Sequence, residues 1–286
     1  MDIRSALKFM LISTLSFACM NSTVKYLSDI SAYQIVFFRS ITTLLFTMVY
    51  LFKNKISIWG NNKRILLLRG LVGVTSMLLF FMSTKYLPIG TAVSLRYLGP
   101  IFASIFAIFF LKEKIKSVQW LFFLLAFAGV VILKGFDLEL NMLGLALVLC
   151  SAIFVGLVYV ILSKIGKSEH PVVVVNYFMA VSVLVGGLLS ISNWVNPANN
   201  LEWCLLLSLG VFGYFGQVFM TKAFQIAAST SQIAPLKYLE TIFTLLLGVA
   251  IFSEVYTIWS LLGISMIIIG LVLNAKFKER LKTQNE

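Results

Sequence analysis

The chain has 286 residues, 60% of them hydrophobic and 12% charged, with a mean hydropathy of +0.97. So little polar surface excludes a water-soluble globule of this length. The net charge of +12 does not indicate a nucleic-acid partner, because the basic residues sit in short clusters between apolar runs and build no separate basic domain.

A helix needs roughly 20 mostly apolar residues to span a hydrocarbon core. The chain offers ten such runs, near Ala6–Leu27, Tyr33–Phe52, Ile65–Leu87, Ile89–Leu111, Ser117–Leu133, Met142–Ser163, Val172–Ile191, Leu201–Phe224, Ser229–Phe252 and Tyr256–Ala275. The expected fold class is therefore an all-α membrane protein with ten transmembrane helices. The first run follows Arg4 and Lys8 as in a signal peptide, but Asn21 and Lys25 stand where a small-residue cleavage site would be, so it reads as a retained helix. Turns around Pro88 and Gly90, and around Ala227, predict two tight helical hairpins.

The fourth run contains an internal repeat. Thr91 to Glu113 reads TAVSLRYLGPIFASIFAIFFLKE, and 141 positions on Gln232 to Glu254 reads QIAPLKYLETIFTLLLGVAIFSE. In that register Tyr97, Leu98, Ile101, Phe102 and Glu113 meet Tyr238, Leu239, Ile242, Phe243 and Glu254, and Arg96 meets Lys237. The chain thus divides into residues 1–135 and 136–286, five helices each. An odd number of helices turns the second half upside down, and inverted repeats of this kind hold a site at the midplane and work by rocking.

Alternate connections collect sixteen basic residues, from Arg4 and Lys8 to Lys276, Lys278, Arg280 and Lys282, against Lys25, Lys85 and Lys134 on the other side. The asymmetry predicts a multi-pass protein of the cell's inner (cytoplasmic) membrane with both termini in the cytoplasm.

Ionisable residues at membrane depth carry the functional signal, since each costs about 2.5–3.5 kcal/mol at a helix centre on insertion scales. Arg39 and Arg96 lie roughly 9–11 Å inside one face; Lys237 enters from the other, with Glu240 about 4.5 Å beyond it. Three cations then face one carboxylate. Neutralisation within the protein, with Lys237 and Glu240 paired at i, i+3, leaves positive charge for an anion, water or another polar group. Tyr97 and Tyr238 add rings and hydroxyls beside them, and either role, ligand contact or helix packing, stays open. Asn21, Gln34, Asn176, Tyr177, Tyr214 and Gln217 read first as helix–helix hydrogen bonds and second as ligand contacts. Glu113 and Glu254 fall at opposite faces, each before the first turn of the next helix, where exposed N–H groups favour a carboxylate. Arg69 is expected to snorkel to the cytoplasmic interface. The glycines at 144, 156, 186, 187, 210, 213, 216, 263 and 270 are read as packing positions, with a hinge role as the alternative. Cys19, Cys150 and Cys204 lie in apolar runs at spacings that fit packing and neither a disulfide nor a metal site.

The stretches KYLPIGTAVSLRYLGPIFA ending in KE, LKYLETIF ending in SE, and LLLRGLVG resemble the drug/metabolite transporter superfamily, specifically its EamA-type ten-helix carriers, over nearly the whole chain. The resemblance implies a central cavity between the halves and directs attention to Asn21, Arg96, Tyr97, Tyr159, Gln217, Lys237, Tyr238 and Glu240. Where such carriers commonly have Glu-Pro in the second repeat this chain has Glu240-Thr241, while Gly99-Pro100 stands at the matching place in the first. The motifs are similar to those of members that carry metabolites such as S-adenosylmethionine or riboflavin, without choosing between them.

The leading expectation is a secondary transporter or exchanger of a small anionic or zwitterionic metabolite, amino-acid, nucleoside or vitamin-like. Arg39, Arg96 and Lys237 would attract its anionic group, and Glu240 would receive an amine or a coupling proton. A multidrug or lipophilic-cation efflux carrier is the alternative. A polytopic enzyme on lipid-linked substrates ranks below it, since His170 is the sole histidine and no acidic pair exists outside loops; the absence of a phosphate-cradling glycine loop leaves an ATP-driven pump unsupported as well. No cofactor is expected, coupling falling to protons or a substrate gradient. The expected partners are the small-molecule substrate and the lipid bilayer, with a homodimer as candidate assembly.

Overall fold

The computed structural model describes residues 3–111, 117–136, 141–165, 168–226 and 239–283. They form eleven helices: α1 Ile3–Tyr26, α2 Ala32–Lys53, α3 Lys63–Ser83, α4 Ile89–Arg96, α5 Gly99–Leu111, α6 Ser117–Phe136, α7 Met142–Ile165, α8 Pro171–Ile191, α9 Asn200–Ile226, α10 Leu239–Phe252 and α11 Ile258–Thr283. Among the described residues there is no strand, and six helices are long and apolar enough to cross a membrane. The predicted turn at Pro88 joins α3 to α4, but the two helices barely touch and form no packed hairpin, because α4 packs on α7, α10 and α11 instead. The turn around Ala227, the basic cluster Lys112, Lys114 and Lys116, and Glu113, Lys167, Lys237 and Tyr238 lie outside the described residues.

The sequence reads Ile89–Leu111 as one helix; the structure breaks it after Arg96. Pro100 has no N–H to give the Arg96 carbonyl, so the α-helical ladder cannot run through this point. Tyr97 and Leu98 instead close short i→i−3 bonds to Ser94 and Leu95 at 3.2 and 3.1 Å. Gly99 completes the device: a Cβ there would come within 2.5 Å of Val155 Cγ1, so only glycine lets α7 pack against the break. Arg96 is left as the last residue of α4, where a cation meets the negative end of the helix dipole.

The helix contacts repeat under exchange of the halves. α1 packs on α9 as α7 packs on α3; α1 on α10 as α7 on α5; and α2 on α9 as α8 on α3. Two pairs, α2 with α8 and α6 with α11, map onto themselves and so lie on the pseudo-two-fold axis. At the α6–α11 crossing the backbones touch, since a Cβ on Gly129 would lie 2.5 Å from the Gly263 carbonyl oxygen and one on Gly270 2.7 Å from that of Phe122. Of these, Gly263 and Gly270 are among the positions read from the sequence as close-packing sites, and Gly129 joins them.

Both ends of the bundle are tied by side chains. At the end carrying the termini, Glu169 Oε1 accepts from the backbone N–H of Asn61 and Asn62 at 2.7 and 2.6 Å, and the Tyr177 hydroxyl donates to Trp59 O at 2.7 Å. At the opposite end, Glu254 accepts from the N–H of Ile89, the first residue of α4, at 3.0 and 3.2 Å, and from the Tyr256 hydroxyl at 2.5 Å. Lys25 of α1 donates to Thr84 O and Leu87 O at 2.8 and 3.0 Å and approaches Glu254 at 4.0 Å. Glu254 was expected to serve the helix that follows it. It serves α4 of the other repeat instead, because the chain turns back after α10 and brings the carboxylate over the exposed N–H groups at Ile89. Burial and the bond to Glu254 push the Tyr256 hydroxyl upward, so it remains a protonated donor throughout the physiological range.

Two further expectations need correction. Arg69 does not reach the interface: its guanidinium carbon sits 4.1 Å over the Phe178 ring, with Nε and Nη1 buried and unpaired. Gly73, one turn on, provides the space, for a Cβ there would lie 2.6 Å from Nη1. Cys150 and Cys204 are exposed on the bundle surface rather than packed inside it, where a thiol in contact with lipid leaves no polar group unsatisfied.

Candidate functional site

A cavity of about 120 Å³ lies at the centre of the bundle, between the halves. From α1 come Phe17, Met20 and Asn21, from α2 Arg39, from α3 Phe80, and from α4 with its break Val93, Arg96 and Tyr97. Val155 and Tyr159 of α7, Gln217 and Met220 of α9 and Glu240 of α10 complete it. Seven of the nine sequence-predicted site residues, Asn21, Arg39, Arg96, Tyr97, Tyr159, Gln217 and Glu240, therefore surround one space; Lys237 and Tyr238 are the two outside the described residues.

Glu240 is 7% exposed and its two carboxylate oxygens are bound from the other repeat. The Tyr97 hydroxyl donates to Oε2 at 2.7 Å and Asn21 Nδ2 to Oε1 at 3.0 Å. A carboxylate only accepts, which fixes the Asn21 amide with its NH₂ toward Glu240 and its carbonyl away. Asn21 Oδ1 is then buried with no hydrogen-bond partner, a free acceptor beside the carboxylate.

The arginines are held differently. Arg96 lies 4.4 Å over the Phe80 ring and Arg39 5.8 Å over Phe81. Arg39 also donates to the sulfurs of Met20, at 3.2 Å, and of Met77. Among the described residues neither arginine forms an ion pair with a carboxylate. Both arginines line the same cavity as Glu240. Ring faces and thioethers are weaker partners for a guanidinium than an oxyanion is, so a carboxylate or phosphate would outcompete the sulfur bonds that Arg39 makes.

Sequence reasoning missed Met20, Met77, Phe80 and Phe81. Their only signal was adjacency of two aromatics on α3, which apolar spans offer in many places. Gln34 ties α2 to the α8–α9 connection through two 3.0 Å bonds with the Val195 backbone, and Thr47 ties α2 to α8 by donating to Asn176 Oδ1 at 3.0 Å. Tyr214 lies outside the central cavity, its ring 5.0 Å from that of Phe46. Among the described residues no three His, Cys, Asp or Glu side chains gather where they could hold a metal ion.

A comparison with protein families matches the EamA-like transporter family over residues 4–134 and again over 142–275. The chain belongs to that family. This EamA-like transporter is 29% identical over 279 residues to the pseudopaline exporter CntI of Pseudomonas aeruginosa, covering 97% of this chain and 98% of the relative. It is 28% identical over 272 residues to human solute carrier family 35 member G1, covering 89% and 74% respectively. An uncharacterized transporter of Helicobacter pylori is 29% identical over 272 residues, with 90% of each chain covered. A solved crystal structure with 17% identity superposes at a TM-score of 0.67 over 96% of this chain and 97% of that one, a likeness of fold. The protein is a multi-pass membrane transporter, not an enzyme.

Proposed function

We propose that this EamA-like transporter carries a small anionic or zwitterionic organic metabolite, its anionic group held by Arg39 and Arg96. The observation that carries this is the charge balance of the cavity: two guanidinium groups without an ion pair against one carboxylate already bound by Tyr97 and Asn21. A bundle interior leaves such cations costly unless an anion or water meets them, and a carboxylate or phosphate matches the guanidinium fork. Asn21 Oδ1 and Glu240 form an acceptor pair suited to the amine of a zwitterion, and Glu240 is the group that takes a coupling proton. The same balance argues against lipophilic cations.

Transport follows by alternating access about the axis through the α2–α8 and α6–α11 contacts. The Lys25–Glu254–Tyr256 cluster is the outer gate in this reading, and the basic residues at the other end support an inner-membrane protein with both termini in the cytoplasm. The test is counterflow in proteoliposomes over a panel of anionic, zwitterionic and cationic metabolites, with Arg96→Ala and Lys237→Ala. Loss of anion counterflow is expected in Arg96→Ala; undiminished transport in both variants refutes the electrostatic reading.

A further inference from the structure

The central cavity, at about 120 Å³, falls short of the several hundred that small-molecule sites usually have. A second chamber of about 370 Å³ lies between α2, the start of α8 and α9, toward the end that carries the termini. Gln217 lines both spaces. So does the α2 face: Arg39, Thr43 and Thr47 follow one another at four-residue spacing, the first in the central cavity and the other two in the chamber. Among the described residues no Lys, Arg, Asp or Glu side chain lines the chamber.

We propose that this chamber is a second binding site, for the uncharged part of an elongated cargo whose anionic end lies at Arg39 and Arg96. The inference rests on the anion reading of the central cavity and extends it to the shape of the substrate. Thr43 spends its hydroxyl proton on Arg39 O and Gly210 O at 2.9 and 3.2 Å, and Thr47 spends its own on Leu44 O and Asn176 Oδ1 at 2.9 and 3.0 Å. Both therefore offer lone pairs, accepting donors from the cargo. His170 accepts the Val172 N–H on Nδ1 at 3.3 Å, which leaves its other ring nitrogen as the donor when the ring is neutral. Val175, Val218 and the Tyr214 ring supply apolar wall. From Arg39 to Tyr50 the α2 face rises about 16 Å, so the two spaces together fit a charged head and a chain of that order.

The test uses N-acetyl-L-glutamate and N-octanoyl-L-glutamate as probes, which share a head and differ by six methylenes, in equilibrium binding to the purified full-length chain. Wild type is expected to bind the octanoyl probe at least about ten-fold more tightly, since each buried methylene contributes to transfer from water. Thr47→Trp, which fills the chamber, is expected to bring that ratio below about two-fold, and Val218→Phe fills it from the facing helix should the first variant misfold. Arg96→Ala is expected to weaken both probes. A ratio unchanged by either filling variant means that lipid or nothing occupies the chamber and overturns the proposal, while a continued loss in Arg96→Ala leaves the central site standing. Octanoyl preference absent in wild type overturns it equally. Binding of neither probe is the one result that removes both readings together.

Discussion

Replacing Glu254 by alanine removes the carboxylate that joins α4, α1 and the α10–α11 segment. The Ile89 N–H and the Tyr256 hydroxyl lose a charged acceptor, and Lys25 loses its neighbour while keeping the carbonyls of Thr84 and Leu87. A hydrogen bond to a charged group contributes about 1.5–3 kcal/mol, so two of them stabilise the closed end by about 3–6 kcal/mol if no water takes their place. Water reaches this end once it opens and replaces roughly half of that, leaving about 1.5–3 kcal/mol. The closed-to-open ratio should therefore fall by about 10- to 150-fold. Val93, which lines the central cavity behind the cluster, reports the change as a single cysteine in a chain with Cys19, Cys150 and Cys204 replaced by serine. A membrane-impermeant thiol reagent added from the Glu254 side should label Val93→Cys at least about ten times faster with Glu254→Ala than without it. A rate within two-fold of the parent would refute the gate assignment.

Tyr97→Phe deletes one of the two donors to Glu240 and should lower transport about ten-fold in a protein that still folds, since the Asn21 bond remains; thermal-shift and counterflow assays read the two effects separately. Gly129→Val forces a side chain against the Gly263 carbonyl, where backbone must move, and should destabilise the bundle by about 1–3 kcal/mol as a lower midpoint in detergent. Thr47→Val breaks the tie to Asn176 and should cost only about 0.6 kcal/mol, a small shift in the same assay, because interhelical bonds of this kind average that much in membranes. Phe80→Leu removes the ring under Arg96 and should weaken anion counterflow several-fold while costing about 1–2 kcal/mol of stability, from the small cavity left by the lost ring carbons.

The bundle was legible because membrane spans announce themselves as apolar runs, and the inversion because an odd helix count follows from them. Arg39, Arg96 and Glu240 were legible for the complementary reason: a charge inside such a run is too costly to be incidental. The break after Arg96 was half visible, as a Gly99-Pro100 pair whose effect on the helix depends on how closely α7 approaches. What surrounds the charges was not legible. Met20, Met77, Phe80 and Phe81 are apolar residues in apolar segments, and only three-dimensional placement distinguishes a ring beneath a guanidinium from a ring against lipid. Glu254 could be read as a helix-start carboxylate, but its partner at Ile89 is 165 positions away and no local spacing encodes that. Arg69 failed for a similar reason: the pocket that retains it is made by Gly73 and by Phe178 of another helix.

The most direct test of the central claim is an experimental structure of the full chain with transported cargo bound. The account predicts a carboxylate or phosphate oxygen at about 3 Å from the guanidinium nitrogens of Arg39 or Arg96, with any amine of the cargo turned to Glu240 and Asn21 Oδ1. A cationic group seated on Glu240, with both arginines still resting on Phe80 and Phe81 and no anion near them, would contradict it.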